Sequence, residues 1–169
     1  MTRLVLAFVF IGLMLSGCGA SSGGSAGTHH LSPNEMLAQV RAAGVTGVEL
    51  DVQPLRDPQV EDLRAAATQA ENGRDYVGAN RALAQALQLM PNDPDLLQWQ
   101  AEIALVTRGW AQAEQFATQS YAKGPKLGGL CRRNWTTIRF AREAHGDAAG
   151  AAQAQQHVPA CAVTPPVRM

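Results

Sequence analysis

Residues 75–93 read DYVGANRALAQALQLMPND, and this stretch decides the fold. It is rich in alanine and leucine, has only Val77 as a β-branched residue, and runs unbroken to Pro91. That composition favours a helix from Tyr76 to Leu89, ended by the proline. Residues 109–125, GWAQAEQFATQSYAKGP, repeat the arrangement: Pro91 and Pro125 lie 34 residues apart, as do Ala79 and Ala113. The glycines that would stop neighbouring helices, Gly73, Gly109 and Gly146, are separated by 36 and 37 residues. Helix pairs recurring at this spacing predict an α-solenoid, in which each hairpin buries its apolar face only against its neighbour.

Capping signals place the other helices. Ser32-Pro33-Asn34-Glu35 sets Ser at N-cap, Pro at N1 and Glu at N3, a capping box that opens a helix to about Ala43, with Gly44 as its stop. Residues Val45 to Arg56 alternate weakly and contain Pro54, which predicts an extended segment lying along the domain. Asp57-Pro58 opens a helix to Asn72, and Asp93-Pro94 opens one (LLQWQAEIALVTR) that closes at Gly109. Further helices are expected over Trp110–Ala122 and Leu130–Ala144, with a last one from Gly146-Asp147 to about His157, before Pro159. The expected fold is therefore all-α: a short α-solenoid of two to three hairpins over residues 57–161. An N-terminal helix and extended segment (31–56) precede it, and a tail (162–169) follows.

The chain resembles the tetratricopeptide repeat (TPR) family. Tyr76, Ala79, Leu83, Ala86 and Pro91 fall on the aromatic, small, large, small and proline positions of that family's second helix. Trp110, Ala113, Ala117, Ser120 and Pro125 repeat them, with Phe116 one place early. First helices match through Leu63 and Ala67, then Leu97, Ala101 and Ala104, and a third unit around NWTTIRFAREAHGDAAGAAQAQQ is atypical, as a terminal cap would be. In this family ligands usually lie in a concave groove lined by the first helix of each hairpin. By register the resemblance implies Arg64, Thr68 and Glu71 in the first unit, Gln98, Glu102 and Leu105 in the second, and Arg132, Thr136 and Arg139 in the third, where an insertion blurs the phase. Such a mixture suits an extended peptide.

The first residues are of another kind. Arg3 is followed by LVLAFVFIGLML and then by LSGC at positions 15–18. Roughly a dozen apolar residues suit a signal-peptide core and fall short of the ~20 that span a bilayer. LSGC resembles the lipobox of bacterial lipoproteins, which implies cleavage after Gly17 (leader 1–17) and acylation of Cys18, by palmitate or similar chains. Gly19, where that family's retention signal has Asp, implies the outer membrane facing the periplasm. Residues 18–30 then carry the lipidated cysteine and a Gly/Ser tether with a reach of about 20 Å; His29-His30 within it lack a ligand set.

Charge excludes some partners. The chain has 14 basic and 14 acidic residues, only Lys123 and Lys126 are lysines, and no basic stripe interleaves with aromatics. Nucleic acid is disfavoured. Cys131 and Cys161 flank Gly146 at equal distance, so a hairpin folded about that glycine brings them within disulfide reach, with Cys161 on an extended tail after Pro159. Free buried thiols are the alternative; a metal or redox site lacks a CxxC or a third ligand. GxSxG, HExxH and phosphate-binding glycine motifs are absent, so neither enzyme activity, nor a cofactor, nor a metal is expected. Glu102, inside AEIALV, is expected at a solvated groove position, with a buried acid as the alternative; His145 is expected as a helix-end cation, and Trp99, Trp110 and Trp135 in the core.

These features predict a membrane-anchored periplasmic protein–protein interaction module that binds an envelope protein or peptide through the groove. The resemblance to repeat lipoproteins implies roles such as pilus or secretin assembly, envelope biogenesis or cell-wall coordination, without selecting one. The alternative is a small-ligand or cell-wall glycan binder that uses the tryptophans and residues 31–56. An open groove around Arg64, Gln98 and Glu102 would favour the first, and a closed pocket around two tryptophans the second.

Overall fold

A computed structural model describes residues 31–47 and 56–163. The leader, Cys18, the tether, most of the expected extended segment (48–55) and the end of the tail (164–169) lie outside the described residues. Among the described residues the chain is all helical. The helices are α1 (Pro33–Val45), α2 (Pro58–Asn72), α3 (Tyr76–Leu89), α4 (Pro94–Val106), α5 (Trp110–Lys123), α6 (Gly128–His145) and α7 (Ala148–Ala160).

Local chemistry starts α1, α2 and α4 where the sequence predicts. Ser32 and Glu35 form the complete capping box of α1, and Asp57 and Asp93 cap α2 and α4 ahead of Pro58 and Pro94. Consecutive helices pair as hairpins, α2 with α3, α4 with α5 and α6 with α7. Contacts of α3 with α4 and of α5 with α6 stack these into a row. The three hairpin turns share one construction. Arg74, Arg108 and Gly146 adopt left-handed backbone (φ 59°, 64° and 81°). The next residue's N–H then bonds a carbonyl five positions back, as in Asp75 to Ala70, Gly109 to Ala104 and Asp147 to Arg142. This is the bonding of a Schellman-type helix end. Gly73 and Gly109, expected as the stops, have φ near −80° and flank the left-handed residue.

Packing divides into three clusters along the row. Val60, Ala67, Leu83, Leu96 and Ile103 form one, between α2, α3 and α4. Ala101, Ala117, Ile138 and Ala154 form another, across α4 to α7. The third places Val40 of α1 against Leu105, Ala113, Phe140 and Ala141, so α1 lies across α4 and α6. Fully burying side chains such as Val40, Leu105 and Phe140 contributes about 1.5–3 kcal/mol each.

Three expectations need correction. Gly44 does not stop α1, which runs on to Val45. It is small because α1 crosses the start of α6 there: a Cβ on Gly44 would sit 2.6 Å from Arg133 Cδ, and one on Gly129 would sit 2.4 Å from Gly44 O. Pro159 does not end α7, which continues to Ala160. Cys161 is therefore the helix cap in αR backbone, not part of an extended tail. The last turn is anchored from outside, by the Cys131–Cys161 disulfide (Cα–Cα 5.7 Å) and by Gly128 N–H donating to Cys161 O at 2.7 Å. Finally, α6 begins at Gly128, two residues before the expected Leu130.

Candidate functional site

The inner face of the row, formed by α2, α4 and α6, is only partly open, because α1 covers one end of it. Leu105, expected on the groove, is fully buried beneath Val40. Arg132 is buried and donates from Nε to Ala43 O of α1 at 2.9 Å. Thr136 is buried with its hydroxyl on the Arg132 carbonyl, and Arg139 pairs with Glu143 at 2.7 Å and stacks on Phe140. None of these four lines the cleft that remains beside α1.

Beside α1 a cleft of about 810 Å³ remains. Arg64, Thr68 and Glu71 of α2, the residues expected from the first unit, form one wall. Trp99 and Glu102 of α4 lie between the walls. The C-terminal end of α1 (Arg41, Val45), the start of α6 (Leu127, Arg133) and Val163 make the other side. Among the described helices, α4 meets both α1 and α6 at backbone distance, whereas α2 packs at that distance on α3 alone, which leaves the opening. Trp99 fills part of the gap, with its indole N–H donated to Glu71 Oε2 at 2.9 Å and the Arg64 guanidinium 5.5 Å from its ring centre.

Glu102 is fully buried, not solvated as expected. Its burial is offset by four short contacts. Arg41 Nε donates to one carboxylate oxygen at 3.1 Å, and Arg133 Nε (2.8 Å) and Nη2 (2.6 Å) approach the other. Gln98 Nε2 adds a bond at 3.0 Å. Gln98 itself is buried under the cleft, bonded also to Thr137 Oγ1 at 2.9 Å. Arg41 extends the network to Glu71 at 2.6 Å. For Arg41, burial opposes the charge, but Glu102 and then Glu71 outweigh it, so its pKa is raised. At the cleft's edge Asp95 is held by Arg56 at 2.7 Å, and Arg56 is locked to the α4 cap Asp93 at 3.0 Å.

Arg41, Trp99 and Arg133 line the cleft without a sequence signal that places them there. Arg133 takes the place assigned to Arg132, a shift of one residue in α6. Arg41 belongs to a helix outside the repeats, and nothing in its local sequence points at Glu102, 61 positions away. Trp99 serves core and cleft together, since it is partly buried against the first cluster. Trp110 packs on the α1 cluster, while Trp135 stacks on His157 with ring centres 4.0 Å apart. The cleft therefore holds one tryptophan. Among the described residues, no group of three His, Cys, Asp or Glu side chains is placed to hold a metal ion.

No family model matches this chain, and no curated protein matches it. Among solved structures it is similar to the globular C-terminal domain of P. aeruginosa LpoP, at 32% sequence identity and a TM-score of 0.57. That match covers 62% of this chain and 99% of the LpoP domain. With identity at this level over nearly the whole of that domain, the chain belongs to the family of the LpoP globular C-terminal domain.

Proposed function

We propose that this protein is a lipid-anchored interaction module of the bacterial envelope, which binds a protein partner in the cleft between α2, α4 and the adjoining ends of α1 and α6. In this reading the hairpins are TPR-like repeats, Cys18 is acylated in the outer membrane, and residues 19–30 let the domain reorient in the periplasm. The observation that carries it is where exposed apolar surface lies. Five large hydrophobic side chains are exposed among the described residues, and three of them, Val45 (83%), Leu127 (51%) and Val163 (37%), line this one cleft. Exposed apolar side chains gathered beside charged ones mark interaction surfaces, whereas scattered ones need no explanation.

The geometry gives the glycan alternative less support, since a lone tryptophan already engaged by Arg64 and Glu71 is a poor sugar platform. A cleft of this size supports modest affinity, and anchoring both partners at one membrane raises their effective concentration. A photo-crosslinking residue at Thr68 in intact cells tests the proposal, with one at the exposed Gln88 of α3 as control. A protein captured from Thr68 and not from Gln88 is expected. Recovery of lipid and murein fragments alone would count against it.

A further inference from the structure

We infer that Arg64 is a carboxylate receptor, so that the cleft takes an extended peptide in which an acidic residue alternates with an aliphatic one. This rests on the protein-binding reading above and names the partner's chemistry.

The other charges of the cleft are already spent on each other. Arg41 holds Glu71 and Glu102, Arg133 holds Glu102, and Arg56 holds Asp95. Among the described residues Arg64 comes no closer than 3.8 Å to a carboxylate, that of Glu61, which is itself about half exposed. Its Nη1 is shielded from solvent and has no hydrogen-bond partner among those residues. A buried guanidinium donor without a partner is costly, so the group loses no hydrogen bond there when it swings into the cleft. Stacking over Trp99 keeps it on the cleft wall. The planar fork then matches a carboxylate with two parallel bonds.

The opposite side of the cleft sets the second requirement. Side chains of an extended peptide point alternately to opposite sides. With one carboxylate on the α2 wall at Arg64, the neighbouring side chain would face Val45, Leu127 and Val163, beside Arg41 and Arg133, which Glu102 already holds. Those aliphatic groups suit valine or leucine and offer nothing to a sugar or a phosphate.

The test uses the full chain in detergent and a fluorescein-labelled peptide, Ser-Val-Asp-Val-Asp-Val-Ser, read by fluorescence anisotropy. Saturable binding is expected, weakened about tenfold when both aspartates become asparagine, a loss of about 1.4 kcal/mol. Arg64→Gln should erase the difference between the two peptides, and Arg64→Lys should restore part of it. Thr68→Glu, one helical turn from Arg64 on an exposed face, should occupy the guanidinium internally and erase the preference in a folded protein, which covers the case in which Arg64→Gln fails to fold. Absence of saturable binding, equal binding of both peptides, or a preference that survives Arg64→Gln or Thr68→Glu overturns the inference. If Thr68 captures a protein in cells while the aspartate preference is missing, the carboxylate role falls and the interaction module stands. If the preference holds but nothing is captured, the module falls and the chemistry of Arg64 stands.

Discussion

Glu102 and its two arginines differ in what each can do when left alone, and that difference predicts an order of stabilities. The carboxylate is fully buried, whereas the side chains of Arg41 and Arg133 are 44% and 26% exposed at the cleft. Glu102→Ala leaves two cations that turn into the cleft and hydrate. Its cost is the lost charge-assisted bonds and a small void, about 2–3 kcal/mol. The double variant Arg41→Ala/Arg133→Ala strands a buried carboxylate that only Gln98 can reach. Breaking a buried pair in this way costs about 3–5 kcal/mol, with the lost packing of two arginine stems and the Arg41–Glu71 pair added. Removing Glu102 as well, in the triple variant, should recover about 1–2 kcal/mol, because the stranded charge is gone. Urea unfolding followed by circular dichroism at 222 nm gives all four stabilities. A double variant no less stable than Glu102→Ala, or a triple variant no better than the double, would refute the idea that burial of the carboxylate is what the arginines offset.

Three further outcomes follow from local geometry. Arg108→Gly removes a left-handed non-glycine residue (φ 64°) and should raise stability by about 0.5–1 kcal/mol, net of the entropy that glycine adds to the unfolded chain, as measured by urea midpoint. Gly129→Ala drives a Cβ to 2.4 Å from the Gly44 carbonyl; it should cost about 1–3 kcal/mol and speed amide exchange in α1 while leaving α2 and α3 unchanged. Equal exchange in α1 would mean the crossing does not depend on these glycines. Cys161→Ser should cost about 3–4 kcal/mol, and reductant should give the native chain the same loss. Helicity should then be lost first in the last turn of α7, around Pro159, which site-resolved exchange can show.

Most of the helical framework was legible before any tertiary structure. Its signals are local: Ser32, Asp57 and Asp93 each cap the helix that follows, and the helix ends at Asn72 and Leu89 fall where Gly73 and Pro91 predict. The disulfide was legible for a related reason, since it joins the open ends of a single hairpin. One wall of the cleft was legible as well, because Arg64, Thr68 and Glu71 share one face of one helix.

Tertiary structure decided what lies over that face. Local sequence cannot say that Gly44 is small for the sake of Gly129, or that Pro159 sits in a helix whose end is pinned by Cys131 and Gly128. Nor can it say that α1 comes to rest on α4 and α6, covering Leu105 and reaching Ala43 toward Arg132. Glu102 shows the division most clearly. Its segment AEIALV is compatible with a solvated groove or a buried acid, and only two arginines far away in the chain make burial tolerable. Helix starts and stops depend on neighbours within one turn, so the sequence by itself determined them. The accessible surface, and with it the site, depends on which distant helix packs across the groove, and that was settled only in three dimensions.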